Sequence, residues 1–469
     1  MSAGIKNPTQ AVIPSQDALP QRNGRLVTAP VFSTTVRLAL PVIGANLLNL
    51  ALGIADMIMV GSLGKAALAS LVLANSLMML FFAVGFGTGF ATITYVSQHT
   101  GAGRHARARQ SAAHSLMFGA ILGFVTIIVG NLFLRDLLGF FNAEPQVVDF
   151  AASYTDIIFD YMPFYFLLTM GISVMQGLGD TLTPLIVMIV INVVHIFLNY
   201  MFILGNFGAP QLGVAGAAVG SVTARGLGCA IIFLFLISGR YLMTLRLPDF
   251  RPRLAEFWGL IRLGVPNTLQ SLMRNLNVMI LYRLLSMTYM PTVAQASLGV
   301  GFQAEAIAFI PLMGLYTATG TMVGQNLGAE RPDRAEKAAL AAVKTGLFLM
   351  AIACLAFLLI PEKIVGLFIH EPEVIESGSW YLRINAIPQI FQTGFVLVGA
   401  LRGAGDSLRP LIGHITGQWI IRLPLAFLLI MYTGLEDWSM WIAMAASACI
   451  ESSIYYWLFF RGYWKRIRV

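Results

Sequence analysis

Charge is what this sequence has least of. Only 11% of its 469 residues are Asp, Glu, Lys or Arg, against roughly 25% in an ordinary soluble protein. A soluble chain of this length could not cover its water-facing surface with so few charges, because folding never removes all of that surface from solvent. Cysteine is scarce as well. Cys229, Cys354 and Cys449 each sit in an apolar run and read as small core residues, not as a disulfide framework or metal set. No loop between the apolar runs is long enough for a soluble nucleotide-binding segment. The Gly-x-x-x-x-Gly-Lys-[Ser/Thr] phosphate loop is missing, since Gly64-Lys65 lacks both its spacing and its hydroxyl. His-Glu-x-x-His and Gly-x-Ser-x-Gly are missing too, and no nucleophile, acid and metal ligands converge. The composition excludes a cytosolic enzyme, a disordered chain and a secreted disulfide scaffold. The missing motifs argue against ATP-driven transport by this chain alone and against a membrane-embedded enzyme, which stays as a third reading.

What the chain has is apolar length. Hydrophobic residues make up 57% and mean hydropathy is +0.76. Runs of about 20 mostly apolar residues span a bilayer. Twelve are expected, over roughly 38–60, 67–96, 112–133, 152–175, 183–204, 215–238, 259–287, 294–322, 339–361, 378–401, 410–431 and 438–460. Residues 1–34 form a tail whose first 30 residues are polar, contain proline and read as disordered. The net charge of +8 is not gathered into a nucleic-acid patch. Of the 30 Lys and Arg residues, 22 fall on the side of the two termini and only Lys65, Arg135 and Lys363 on the other. This asymmetry predicts cytoplasmic termini and an even number of spans.

The chain also repeats itself. Val96-Ser97-Gln98-His99-Thr100-Gly101-Ala102 returns at an offset of 227 as Val323-Gly324-Gln325-Asn326-Leu327-Gly328-Ala329. Gly177-Leu178-Gly179-Asp180-Thr181-Leu182-Thr183-Pro184 returns at 226 as Gly403-Ala404-Gly405-Asp406-Ser407-Leu408-Arg409-Pro410, and Pro41 returns at 225 as Pro266. Six spans per repeat give both halves one orientation, with a site expected between them. The predicted fold is an all-α membrane protein: twelve transmembrane helices as two pseudo-symmetric six-helix bundles, over 35–245 and 246–469. In the Gly-x-Gly-Asp turns, Asp180 and Asp406 read as caps of the following helix, with Gly179 and Gly405 making the reversal.

These residues carry a family resemblance over about 35–460. The first span ends Asp56-Met57-Ile58-Met59-Val60-Gly61-Ser62-Leu63-Gly64. With the paired Val-x-Gln-x-x-Gly-Ala loops and the paired Gly-x-Gly-Asp turns, the chain resembles multidrug and toxic compound extrusion (MATE) transporters of the bacterial type. The resemblance implies a central cleft, alternating access and antiport against H⁺ or Na⁺ that exports amphipathic, often cationic, organic compounds. It implies a bacterial inner-membrane protein, monomeric, whose partners are lipid bilayer and small organic molecules, with no cofactor beyond the coupling ion. The alternative is a flippase or exporter of a lipid-linked precursor or specific metabolite, for which Arg225, Arg274 and Arg422 supply cationic groups.

Charge inside a span costs about 2.5–3.5 kcal/mol on insertion scales, so such residues are candidates for function. Asn49, Gly53 and Asp56 fall at i, i+4 and i+7, one face of an apolar helix, extended a turn by Asn46. Position alone leaves Asp56 open between an interior carboxylate that exchanges a proton or binds Na⁺ and a solvated, capping one. The resemblance implies a cation-coupling carboxylate there. Asn192, His195 and Asn199 share a face of the fifth span. Where some relatives have Asn and Asp at the last two positions, this chain has His195 and Asn199. One carboxylate fewer argues against Na⁺, and His, which titrates near pH 6.5, makes H⁺ the first expectation. In the second half Leu281 takes the place of Asp56, and Gln270, Arg274 and Asn277 give the seventh span its polar face. Arg274, which cannot deprotonate, is expected to pair with Glu305 of the eighth span, near Gln303. His414, Gln418 and Arg422 form a face of the eleventh, with Gln418 at offset 226 from Asn192. Asp160, Arg225 and Glu451 read as interhelical pairing groups.

Overall fold

The computed structural model describes residues 25–139, 141, 143–238 and 243–469, so the tail expected over residues 1–34 lies outside them up to residue 24. Twelve rods follow in order. They are α1 (Val31–Gly61), α2 (Lys65–Gly101), α3 (His105–Gly139), α4 (Pro145–Asp160 continued by Met162–Leu178), α5 (Leu182–Leu204) and α6 (Val214–Ile237). The second half has α7 (Leu254–Leu285), α8 (Pro291–Gly328), α9 (Pro332–Leu359), α10 (Pro372–Gly403), α11 (Leu408–Tyr432) and α12 (Trp438–Phe460). Among the described residues, ten helices are long and apolar enough to cross a membrane, eleven with the bent pair of α4. The twelfth, α7, has 32 residues, about 48 Å at 1.5 Å per residue. It has the length to cross; its polar residues dilute the apolar signal. The chain is a multi-pass membrane protein.

The interruptions have local causes. α4 bends by 56° between Asp160 and Met162, where Pro163 lacks the N–H that would continue the ladder. α11 widens into a π-helix over Ile415–Arg422, a distortion often found at functional positions. The turns between α4 and α5 and between α10 and α11 place Gly179 at φ 89° and Gly405 at φ 97°, backbone that only glycine adopts without strain. Asp180 then caps α5 by accepting from the N–H groups of Leu182 (2.9 Å) and Thr183 (3.1 Å). Asp406 accepts from the Arg409 N–H at 3.3 Å and its guanidinium at 2.8 Å.

Twelve passes put both described chain ends, and the loops after α2, α4, α8 and α10, on one side, the terminal face. Lipid offers no hydrophobic drive between helices, so association rests on close contact at small residues. The first helix of each half leans on the other half. A Cβ added at Gly314 of α8 would meet Ile43 and Ala39 of α1; one at Gly87 of α2 would meet Thr268 and Gly264 of α7. At the terminal face the paired loops exchange glutamines. Gln98 donates to the carbonyls of Gly403 (3.1 Å) and Ala404 (3.0 Å), and Gln325 donates to the carbonyl of Gly177 at 3.0 Å. Thr94 donates to the Arg402 carbonyl (2.9 Å) and Thr321 to that of Gln176 (3.0 Å). Gly101 lies against the Gln325 carbonyl and Gly328 against that of Gln98. Each half thus closes on the other with the same parts.

Candidate functional site

In the first half α1, α5 and α6 converge. Asp56 lies in the last two turns of α1, its side chain 17% exposed; His195 is 1% exposed. The amide of Asn199 donates to Asp56 Oδ1 at 2.7 Å. His195 Nε2 stands 3.4 Å from that oxygen and 3.1 Å from Ser221 Oγ. The backbone makes room: a Cβ at Gly220 would lie 2.2 Å from Asn199 Oδ1. That Oδ1 is buried with no protein partner, so the amide holds a donor to the carboxylate and a spare acceptor together. Arg225 of α6 is the nearby positive charge. Of the residues read from the sequence, Asp56, His195 and Asn199 meet. Asn192 is buried but donates to the Met188 carbonyl of its own helix at 2.8 Å. Asn49, on the Asp56 face of α1, is exposed.

The second half is built differently. Glu451 on α12 gathers three donors: His414 Nδ1 at 2.9 Å and Tyr455 OH at 2.6 Å on Oε1, and Gln418 Nε2 at 2.5 Å on Oε2. Gly417 permits this approach, since a Cβ there would lie 2.6 Å from that of Glu451. The ion pair expected between Arg274 and Glu305 is not formed. Glu305 lies beside Tyr381 and Gln389, with Arg422 as its nearby positive charge. Arg274 faces Arg402, Glu451, Tyr455 and Tyr316 instead. Each group turns toward neighbours on other helices, a direction that spacing along one helix does not give. Gln303 is exposed, two residues and therefore just over a half-turn away from Glu305.

Arg402 also departs from its sequence reading as a loop charge. It is 3% exposed, donates to Tyr316 OH and Gln270 Oε1, and lies 5.8 Å from the centre of the Phe90 ring of α2 and 5.6 Å from that of Tyr316. Gln270, read from the sequence as a cleft residue, is thus a partner of this buried guanidinium. Replacing Arg402 by Met is expected to strand both acceptors and lower stability by about 1–3 kcal/mol. Thermal unfolding of the detergent-purified protein checks this; an unchanged transition would remove the structural role. Sequence reading did not pick out Ser221, Tyr381, Gln389, Arg402 or Tyr455. Only Glu451 carried a signal, as a carboxylate in mid-span.

Comparison with known proteins follows the same two halves. The MatE family model matches residues 41–201 and 266–428. A probable multidrug resistance protein NorM of Thermotoga maritima is 28% identical over 439 residues, 92% of each chain. One of the same description from Pseudomonas aeruginosa is 30% identical over 432 residues, 88% of this chain and 86% of that one. Among solved structures, a MATE protein in complex with MaL6 superposes with a TM-score of 0.88 at 20% identity, covering 94% of this chain and 99% of that one. At that identity the likeness establishes the fold.

Proposed function

Because the chain belongs to the MatE family of multidrug and toxic compound extrusion transporters, we propose that it exports amphipathic organic cations in exchange for protons, with Asp56 as the coupling group. The observation that carries this reading is the Asp56, His195, Asn199 and Ser221 cluster, gathered among helices of one bundle. An ionised Asp56 is held by the Asn199 amide N–H. When a proton arrives, the new O–H needs an acceptor, and the unpartnered Asn199 Oδ1 supplies one after a small turn of the carboxyl group. His195 Nε2 faces both Asp56 and Ser221. With a proton on Nε2 it donates to the carboxylate; without one it accepts from Ser221. Proton occupancy therefore redistributes hydrogen bonds among α1, α5 and α6, the kind of two-state element that a transport cycle requires. With one carboxylate and no second acid in the cluster, Na⁺ would have a single charged ligand.

The excess of basic residues around the termini supports a cytoplasmic terminal face, in the inner membrane of a bacterium. The exchanged glutamines then close the cytoplasmic side. Alternating access requires these contacts to part.

The test uses proteoliposomes and ethidium. An imposed proton gradient is expected to drive uphill ethidium movement that a protonophore abolishes and removal of sodium leaves unchanged. Transport that survives the protonophore but stops without sodium would overturn proton coupling.

A further inference from the structure

We propose that His414 and Glu451 form a second proton-binding couple, in the carboxy-terminal bundle, separate from Asp56; the part it plays in transport rests on the proton-antiport reading above. The couple is largely enclosed, the Glu451 side chain being 12% exposed. His414 is 3% exposed, and Glu451 sits midway along α12. With Nδ1–H directed at Glu451 Oε1, the other ring nitrogen, Nε2, is a buried acceptor that no protein group satisfies. One proton placed there turns the neutral imidazole into an imidazolium against a carboxylate. The couple goes from net −1 to neutral with no heavy atom displaced.

The donor set selects a proton over a metal cation. Both Glu451 oxygens already accept from N–H or O–H groups of His414, Tyr455 and Gln418. A metal ion needs oxygen lone pairs turned toward it, and no group of three or more His, Cys, Asp or Glu that could hold one occurs among the described residues.

The surroundings make occupancy consequential. Arg274 from α7, Arg422 from α11 and Tyr455 from α12 face Glu451 itself, and behind them stand Tyr316 and Glu305 from α8 and Arg402 and Tyr381 from α10. Three guanidiniums thus share the counter-charge of Glu451 and Glu305, and Arg402 is the one that reaches Phe90 in the other half. Neutralising the couple reduces what holds Arg274 and Arg402 near each other. The backbone is tied in as well: within the π-helical stretch the Gln418 carbonyl accepts from Asn277 of α7 at 2.9 Å. A change at His414 therefore reaches α7 through a main-chain contact and through charge.

The experiment follows the isotope-labelled histidine side chains of the purified full-length protein by NMR from about pH 4 to 9. The His414→Gln variant, which keeps an amide donor for Glu451, identifies the His414 signal by its loss. That signal is expected to titrate within the range, to persist in Asp56→Asn, and to move its midpoint by at least about tenfold in proton concentration in Glu451→Gln. If Glu451→Gln does not fold, titration in Tyr455→Phe, expected to move the midpoint by a smaller factor, takes its place. A His414 signal that never titrates, or that vanishes with Asp56→Asn, overturns the proposal. So does a midpoint that moves about tenfold for each tenfold change in sodium, since that is the linkage of a sodium site. The reading rests on equilibrium titration, so sodium-driven transport in proteoliposomes would remove the antiport proposal while leaving this couple standing.

Discussion

Asp56→Asn is expected to reduce gradient-driven ethidium export to the level of vesicles without the protein. The substitution is nearly isosteric and leaves the Asn199 amide an oxygen to donate to, as at 2.7 Å in the wild-type chain, so folding should survive. What disappears is the only carboxylate of the first-half cluster, and with it any group that changes charge on α1. His195 then faces a permanently neutral partner. A charge-assisted hydrogen bond of about 1.5–3 kcal/mol no longer distinguishes the two protonation states, which corresponds to roughly a 10- to 150-fold loss of bias between conformations. Energised everted vesicles with matched protein content measure it. Wild-type export by a well-folded Asp56→Asn protein would move the coupling role elsewhere.

The second large effect lies at the terminal face. Even one methyl group at Gly101 would stand 1.9 Å from the Gln325 carbonyl oxygen, and one at Gly328 would stand 2.0 Å from that of Gln98. Neither opposing atom is a flexible side chain. Gly101→Ala is therefore expected to prevent closure, to stop turnover, and to hold the chain with this face open. The cost of forcing such contacts, typically 1–3 kcal/mol, is enough to shift a two-state population about 5- to 150-fold. A cysteine in place of Thr94, which is 1% exposed in the closed face, reports it once Cys229, Cys354 and Cys449 are replaced by Ser. The thiol should be inert in the parent and should label readily when Gly101 is Ala. Protection and transport both unchanged would show that the face does not part there.

Much of this architecture was legible because it rests on one-dimensional signals. Apolar length marks the spans, and the offsets of 225 to 227 mark the duplication. The i, i+3 and i+7 spacing of Asn192, His195 and Asn199 placed His195 and Asn199 on the face that meets Asp56. The second half was less legible. Its chemistry depends on which helices adjoin, and no spacing tells that Glu451 of α12 meets His414 and Gln418 of α11 or that Arg274 turns away from Glu305. Arg402 was hidden for a related reason. Near a helix end it counts as a loop charge, until the lean of one half on the other buries it. The π-helical turn of α11 has no sequence mark at all.

The exchanged glutamines carry a last implication. When patch and counter-patch occur once on each of two matching units, the surface is self-complementary, as in the isologous contact of a two-fold dimer. Gln98 with Gly403 and Gln325 with Gly177 satisfy that condition. A half-length chain bearing a single copy of the glutamine loop and the glycine turn would have all it needs to seal against its own twin. Fusing the copies into one polypeptide leaves that seal intact while freeing each member to diverge, which is how one side could keep an aspartate where the other has Leu281.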